Sequence, residues 1–138
     1  MFLFRKKEKP QESAESRKPH ILVCDDEVGI RESIRMILGE TYDLAFTTNG
    51  EEALQYVRKN DPDLLIMDVK MPVMSGLDAL RRIKRSRPRT RVLIATGYEA
   101  SDVATEATKS GADDYLVKPF NRSQLQTKVE ALLSSAKK

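Results

Sequence analysis

Five times along this chain a short apolar run is followed by a stretch of helical periodicity, and that alternation narrows the possible folds more than any other feature. The runs are Ile21-Leu22-Val23-Cys24, Asp43–Thr47 with Leu44 and Phe46 alternating, Leu64-Leu65-Ile66-Met67, Val92–Ala95 and Tyr115-Leu116-Val117. Continuous apolar runs of this length suit strands buried on both faces, and the alternating one reads as an edge. Between and after them, Ile30/Ile34/Ile37, Ala53/Leu54/Val57, Leu77/Leu80/Ile83, Val103/Ala104/Ala107 and Leu125/Val129/Leu132 recur at helical spacing. Gly39, Asn49-Gly50, Asn60-Asp61-Pro62, Ser75-Gly76 and Ser110-Gly111 punctuate the segments. Strands alternating with helices predict an α/β fold with a parallel sheet covered on both faces, and right-handed crossovers make it doubly wound. The expectation is five strands with five helices; the flavodoxin-like order 2-1-3-4-5, one of the two common orders of such sheets, is adopted for them and does not follow from the spacing.

A parallel sheet gathers its strand ends at one edge, where ligands bind. The residues just past the apolar runs are Asp25 and Asp26, then Asp68, Thr96 and Lys118. Three carboxylates crowded together raise one another's pKa values unless a cation joins them. Oxygen ligands favour a hard cation, and few ligands with room for water favour Mg²⁺ over a caged Ca²⁺. There is no EF-hand spacing and no glycine-rich phosphate loop. A threonine hydroxyl and a lysine ammonium suit two phosphoryl oxygens. The set fits in-line phosphoryl transfer with Asp68 as nucleophile, since carboxylates are known to form aspartyl phosphates.

Val23-Cys24-Asp25-Asp26-Glu27, Met67-Asp68-Val69-Lys70-Met71-Pro72 with Ser75-Gly76, Ala95-Thr96-Gly97 and Tyr115-Leu116-Val117-Lys118-Pro119-Phe120 resemble the receiver domain of two-component response regulators. The similarity spans about residues 20–136. It implies that Asp68 accepts a phosphoryl group from a phosphohistidine on a sensor histidine kinase or histidine phosphotransfer protein. It implies Mg²⁺ held by Asp26 and Asp68, with Asp25 acting mainly through water and the backbone carbonyl of Lys70 as a further ligand. Thr96 and Tyr115 would be a switch pair, and Lys118 would bind the phosphoryl group. The face made by the fourth helix, fifth strand and last helix would then change its affinity for a downstream protein target. A cis bond is implied at Lys118-Pro119. Gly97 stands where the family more often has alanine, and Lys70 and Tyr98 occupy positions that tune dephosphorylation.

The net charge of +3 suggests nucleic acid until it is located: residues 1–19 carry six Lys/Arg and three Glu, which leaves 18 basic and 18 acidic residues in 20–138. The reading is therefore a flexible basic leader over 1–19, a neutral domain over 20–138 and no direct nucleic-acid contact. The run Arg81, Arg82, Lys84, Arg85, Arg87, Arg89 and Arg91 reads first as a solvated helix end that complements the dipole. No apolar run approaches the roughly 20 residues of a membrane span. One cysteine, Cys24, allows no internal disulfide, so a reducing, cytoplasmic setting is expected.

These features predict a single-domain response regulator that is a phosphoacceptor rather than an enzyme acting on other molecules. The alternatives are a Mg²⁺-dependent aspartyl-phosphate phosphohydrolase, which typically has a second acid where Lys70 stands, and a degenerate receiver that only binds. The fourth helix offers only small apolar residues, which bury little area at roughly 25 cal/mol per Å². It is expected to be loosely held. One of Asp25 and Asp26 is also expected to cap the first helix.

Overall fold

The computed structural model of the protein describes residues 17–71, 73–97 and 101–135. Ten elements follow in strict alternation: β1 (His20–Cys24), α1 (Val28–Leu38), β2 (Asp43–Thr47), α2 (Gly50–Asn60), β3 (Leu64–Met67), α3 (Gly76–Ser86), β4 (Arg91–Thr96), α4 (Ser101–Lys109), β5 (Asp114–Val117) and α5 (Arg122–Ser134). The strands form one parallel sheet in the order β2-β1-β3-β4-β5, as expected. The leader up to residue 16, Pro72 and Tyr98 lie outside the described residues.

Alternation along the central strands splits the core in two. Leu22, Cys24, Leu65, Met67, Val92 and Ile94 face α2 and α3, where Leu54, Val57, Leu80 and Ile83 are buried. Ile21, Val23, Leu64, Ile66, Leu93 and Ala95 face α1 and α5, where Ile34, Leu38, Leu125, Val129 and Leu132 close the layer. All four residues of β3 are buried, because strands and helices enclose it on every side.

Caps set the helix limits. Asn49, Ser75 and Asn121 accept N–H bonds at the starts of α2, α3 and α5. One expectation fails here. Neither Asp25 nor Asp26 caps α1: the N-cap position is Glu27, whose side chain makes no cap hydrogen bond. Asp25 is held too far back and accepts the Glu27 N–H at 3.0 Å instead. Gly39 does end α1, but with right-handed angles (φ −65°, ψ −25°), so its conformational freedom is unused. The left-handed cap is Asp61 after α2, at φ 47°.

Glycine is required at position 76. A Cβ there would collide with the Asp68 carbonyl oxygen and the Val69 Cα, so the start of α3 can lie against the end of β3 only without a side chain.

α4 buries Ala107 and half-buries Val103, whereas α5 buries Leu125, Val129 and Leu132. Amide exchange is therefore expected to run at least about tenfold faster in α4 than in α5. Equal protection of the two helices would refute the weak anchoring of α4.

The basic run is less solvated than its composition suggests. Lys84 donates to the Thr90 carbonyl at 2.6 Å and to Asp113 at 3.0 Å. Arg81 pairs with Glu106 of α4 at 3.1 Å, and Arg87 donates to the Arg58 carbonyl at 2.6 Å. Arg91 reaches Asp113 and the Ser135 carbonyl. These cations stitch α3 and the start of β4 to their neighbours.

Candidate phosphoacceptor site

Strand register builds the site. Cys24 pairs with Met67, so Asp25 and Asp68 leave adjacent strands side by side, and the Asp68 N–H donates to the Cys24 carbonyl at 3.2 Å. Thr96 pairs with Val117, and the Lys118 N–H donates to the Thr96 carbonyl at 2.8 Å. One edge thus carries Asp25, Asp26, Asp68, Thr96 and Lys118. A cleft bounded by Glu27, Ile30, Thr96, Gly97 and Pro119 opens over Asp68, Lys70 and Lys118.

The Lys118 ammonium lies 2.7 Å from Asp25 Oδ2, 3.0 Å from Asp68 Oδ2 and 3.4 Å from Glu27 Oε1. The other Asp68 oxygen accepts the Lys70 N–H at 3.2 Å. Asp25 and Asp68 are buried and Asp26 is exposed. Carboxylate oxygens of all three acids lie within 4.8 Å of one another. An all-oxygen set with this spacing fits a small hard cation.

Charge is unbalanced in favour of the acids. Burial pushes the Asp25 carboxyl above its ordinary range, against the lowering effect of the Lys118 and Glu27 hydrogen bonds; Asp68 adds to the rise. Burial works to lower the Lys118 ammonium, but its bonds to Asp25 and Asp68 prevail and raise it. For Asp25, the folded chain holds the proton more tightly than the unfolded chain, so its contribution to stability falls as pH rises from about 3.8 through the raised folded value. Asp25→Asn is accordingly expected to raise the urea midpoint at pH 7 without divalent cation, and to lose that advantage near pH 3.5. An Asn chain less stable than the parent at pH 7 would contradict this balance.

Beside Asp25, burial pushes the Cys24 thiol up to about 12. It packs in the α2–α3 core layer, donating to the Asn49 carbonyl at 3.2 Å and 3.5 Å from Met71 Sδ, as a neutral thiol.

Thr96 is buried at the end of β4. Tyr115 is half-buried in the α2–α3 core layer and pairs with Ile94, so by strand alternation it shares a sheet face with Thr96. Lys70 is exposed beside Asp68. The Lys118-Pro119 bond is cis. Asp25, Asp26, Asp68, Lys70, Thr96 and Lys118 are therefore brought to one edge, whereas Tyr115 is placed in the core layer behind it. Glu27 was missed, although it directly follows Asp25-Asp26 and its acid type was the available signal.

The family model for the response regulator receiver domain matches residues 21–130. The chain belongs to that family. Aspartate phosphorylation and Mg²⁺ binding are general for it. A transcriptional regulatory protein ZraR of Klebsiella oxytoca is 43% identical over 114 residues, covering 81% of this chain and 26% of the relative. The response regulator MprA of Mycobacterium leprae is 35% identical over 118 residues, covering 85% of this chain and 52% of that protein. The chain thus spans between a quarter and about half of these relatives. Among solved structures, the signal receiver domain of a putative Luxo repressor from Vibrio parahaemolyticus superposes with a TM-score of 0.82 at 33% identity, covering 87% of this chain and 93% of that one. A CheY-like receiver domain protein from Methanospirillum hungatei gives 0.81 at 28% identity, over 86% and 95%. Among the described residues, no helix is long and apolar enough to cross a membrane.

Proposed function

We propose that this receiver domain is a phosphoacceptor in a two-component or phosphorelay pathway and that Asp68 takes the phosphoryl group. The observation that carries the reading is the setting of the Asp68 carboxylate: it lies at the end of the central strand, buried, with one oxygen on the Lys70 N–H and the other on the Lys118 ammonium. Two fixed donors orient a nucleophile and leave little to reorganise during reaction. An Asp68 oxygen forms the new P–O bond in line with the breaking P–N bond of a phosphohistidine, and the imidazole leaves with the electron pair and gains a proton.

Asp26 and Asp68, with Asp25 and the Lys70 carbonyl, would hold Mg²⁺. Bound there, the ion neutralises carboxylate charge and screens the charge of the transferring phosphoryl oxygens. Lys118 gives up part of its carboxylate contact and donates to a phosphoryl oxygen, and the Thr96 hydroxyl donates to another. Tyr115 then follows Thr96 and changes the face made by α4, β5 and α5, which shifts the population of partner-competent chains. The activity is self-catalysed uptake and loss of one phosphoryl group, with a histidine kinase or phosphotransfer protein upstream and a protein target downstream.

Incubation with phosphoramidate or acetyl phosphate and Mg²⁺ tests this. The chain is expected to gain one acid-stable, hydroxylamine-labile phosphoryl group. No gain, or repeated turnover of a small phosphate ester without a retained group, would overturn the proposal.

A further inference from the structure

The acid that sequence reading missed has a definable task. Lys118 has three N–H donors, and its ammonium stands against three carboxylates, Asp25 at 2.7 Å, Asp68 at 3.0 Å and Glu27 at 3.4 Å. No donor is left for an incoming phosphoryl oxygen, so one contact must be exchanged. The three are not equal. Asp25 and Asp68 side chains are 4% and 8% exposed, and each is fixed by a second bond, Asp25 to the Glu27 N–H and Asp68 to the Lys70 N–H. The Glu27 side chain is 63% exposed, makes the longest of the three contacts, and stands at the mouth of the cleft. Its contact is the one that separates at least cost. Once it does, a full negative charge stays beside the approaching phosphoryl anion, and the like charges repel.

We infer that Glu27 is a positioning residue that holds Lys118 in reserve and sets an electrostatic threshold at the cleft mouth against anionic small-molecule phosphodonors. The inference rests on Asp68 being the phosphoacceptor. Glu27 touches neither the reacting oxygen nor phosphorus; it acts through Lys118 and through its own field. Its backbone is anchored by Asp25 while its side chain is exposed, so substitution there leaves the buried pairs of Lys118 intact.

The test compares the parent chain with Glu27→Gln and Glu27→Asp at saturating Mg²⁺, with acetyl phosphate and with the less negatively charged phosphoramidate. Glu27→Gln is expected to take up phosphate from acetyl phosphate at least about threefold faster at low ionic strength, with a smaller gain from phosphoramidate. The gain should shrink as salt rises to about 0.5 M, because screening acts on an exposed charge. Glu27→Asp keeps the charge and should stay near the parent rate. Beryllofluoride titration followed by amide NMR gives a readout that does not depend on turnover: Glu27→Gln should bind the phosphoryl analogue more tightly. Equal rates and equal beryllofluoride affinity in the parent and Gln chains would overturn the inference. So would an equal gain in the Gln and Asp chains, or one unaffected by salt and donor charge. A parent chain that takes up no phosphate would instead overturn the Asp68 assignment, so the two failures are distinguishable.

Discussion

Asp68→Asn is expected to abolish uptake of a phosphoryl group from acetyl phosphate or phosphoramidate while leaving the chain folded. The amide lacks the nucleophilic carboxylate, yet its oxygen still accepts the Lys70 N–H that Asp68 Oδ1 now accepts at 3.2 Å. The volume change is negligible in a site where Gly76 leaves no slack beneath the Asp68 carbonyl. Stability should fall, because the amide NH2 cannot accept from the Lys118 ammonium as Asp68 Oδ2 does at 3.0 Å, but Lys118 keeps Asp25 at 2.7 Å, so the loss should stay below that of removing Lys118 itself. Persistent uptake would mean that Asp25, Asp26 or another group reacts. Loss of folding would mean that the carboxylate is structural.

The largest effect on stability is expected at Lys118. Its ammonium joins Asp25 to Asp68 across 93 and 50 residues of chain, and its side chain is 10% exposed. Lys118→Met keeps the stem and removes the charge, which leaves buried carboxylates without their cation. Breaking a buried pair in this way costs about 3–5 kcal/mol. The pH dependence has a definite sign. The Lys118 pKa is raised in the folded chain, so its contribution is complete below about 10.5 and is lost only as pH rises through the higher folded value. The deficit of the Met chain should therefore be whole at pH 7. It should narrow as pH falls through the raised Asp25 value, because protonation of Asp25 removes charge that needed a partner. Mg²⁺ should stabilise the Met chain more than the parent, because the ion would be the only cation on the cluster. Phosphoryl uptake should fall by about 10²-fold, as when one charge-stabilising donor is removed. A Met chain as stable as the parent at pH 7, or equally deficient at both pH values, would show that Lys118 does not neutralise the cluster.

The fold was legible because the inner strands carried their burial in their sequence. Leu64–Met67 is apolar at every position and is buried at every position; Asp43–Thr47 alternates and forms one edge. The apolar run Tyr115–Val117, however, gave no sign that β5 is the other edge, with only Leu116 buried. The site was legible for a related reason. In a parallel sheet, position after a strand is position at the edge, so Asp25, Asp68, Thr96 and Lys118 could be assembled without distances. What escaped depends on distances that no local pattern encodes. Glu27 lies in a loop between strand and helix, and its approach to Lys118 follows from β1 and β5 ending at the same edge of the parallel sheet. The missing cap on α1 follows from Asp25 being drawn to Lys118 and bonding the Glu27 N–H. The basic run looked like a solvated helix end, because nothing in the sequence tells that Lys84 lies against Asp113 and Thr90.

The identity of the reacting side chain can be read directly. After incubation with phosphoramidate and Mg²⁺, reduction with borohydride converts a phosphorylated aspartate to homoserine, and peptide sequencing locates it. Homoserine at position 68, dependent on both donor and Mg²⁺, is the predicted result. Homoserine at position 25 or 26, or none at any position, would contradict the account.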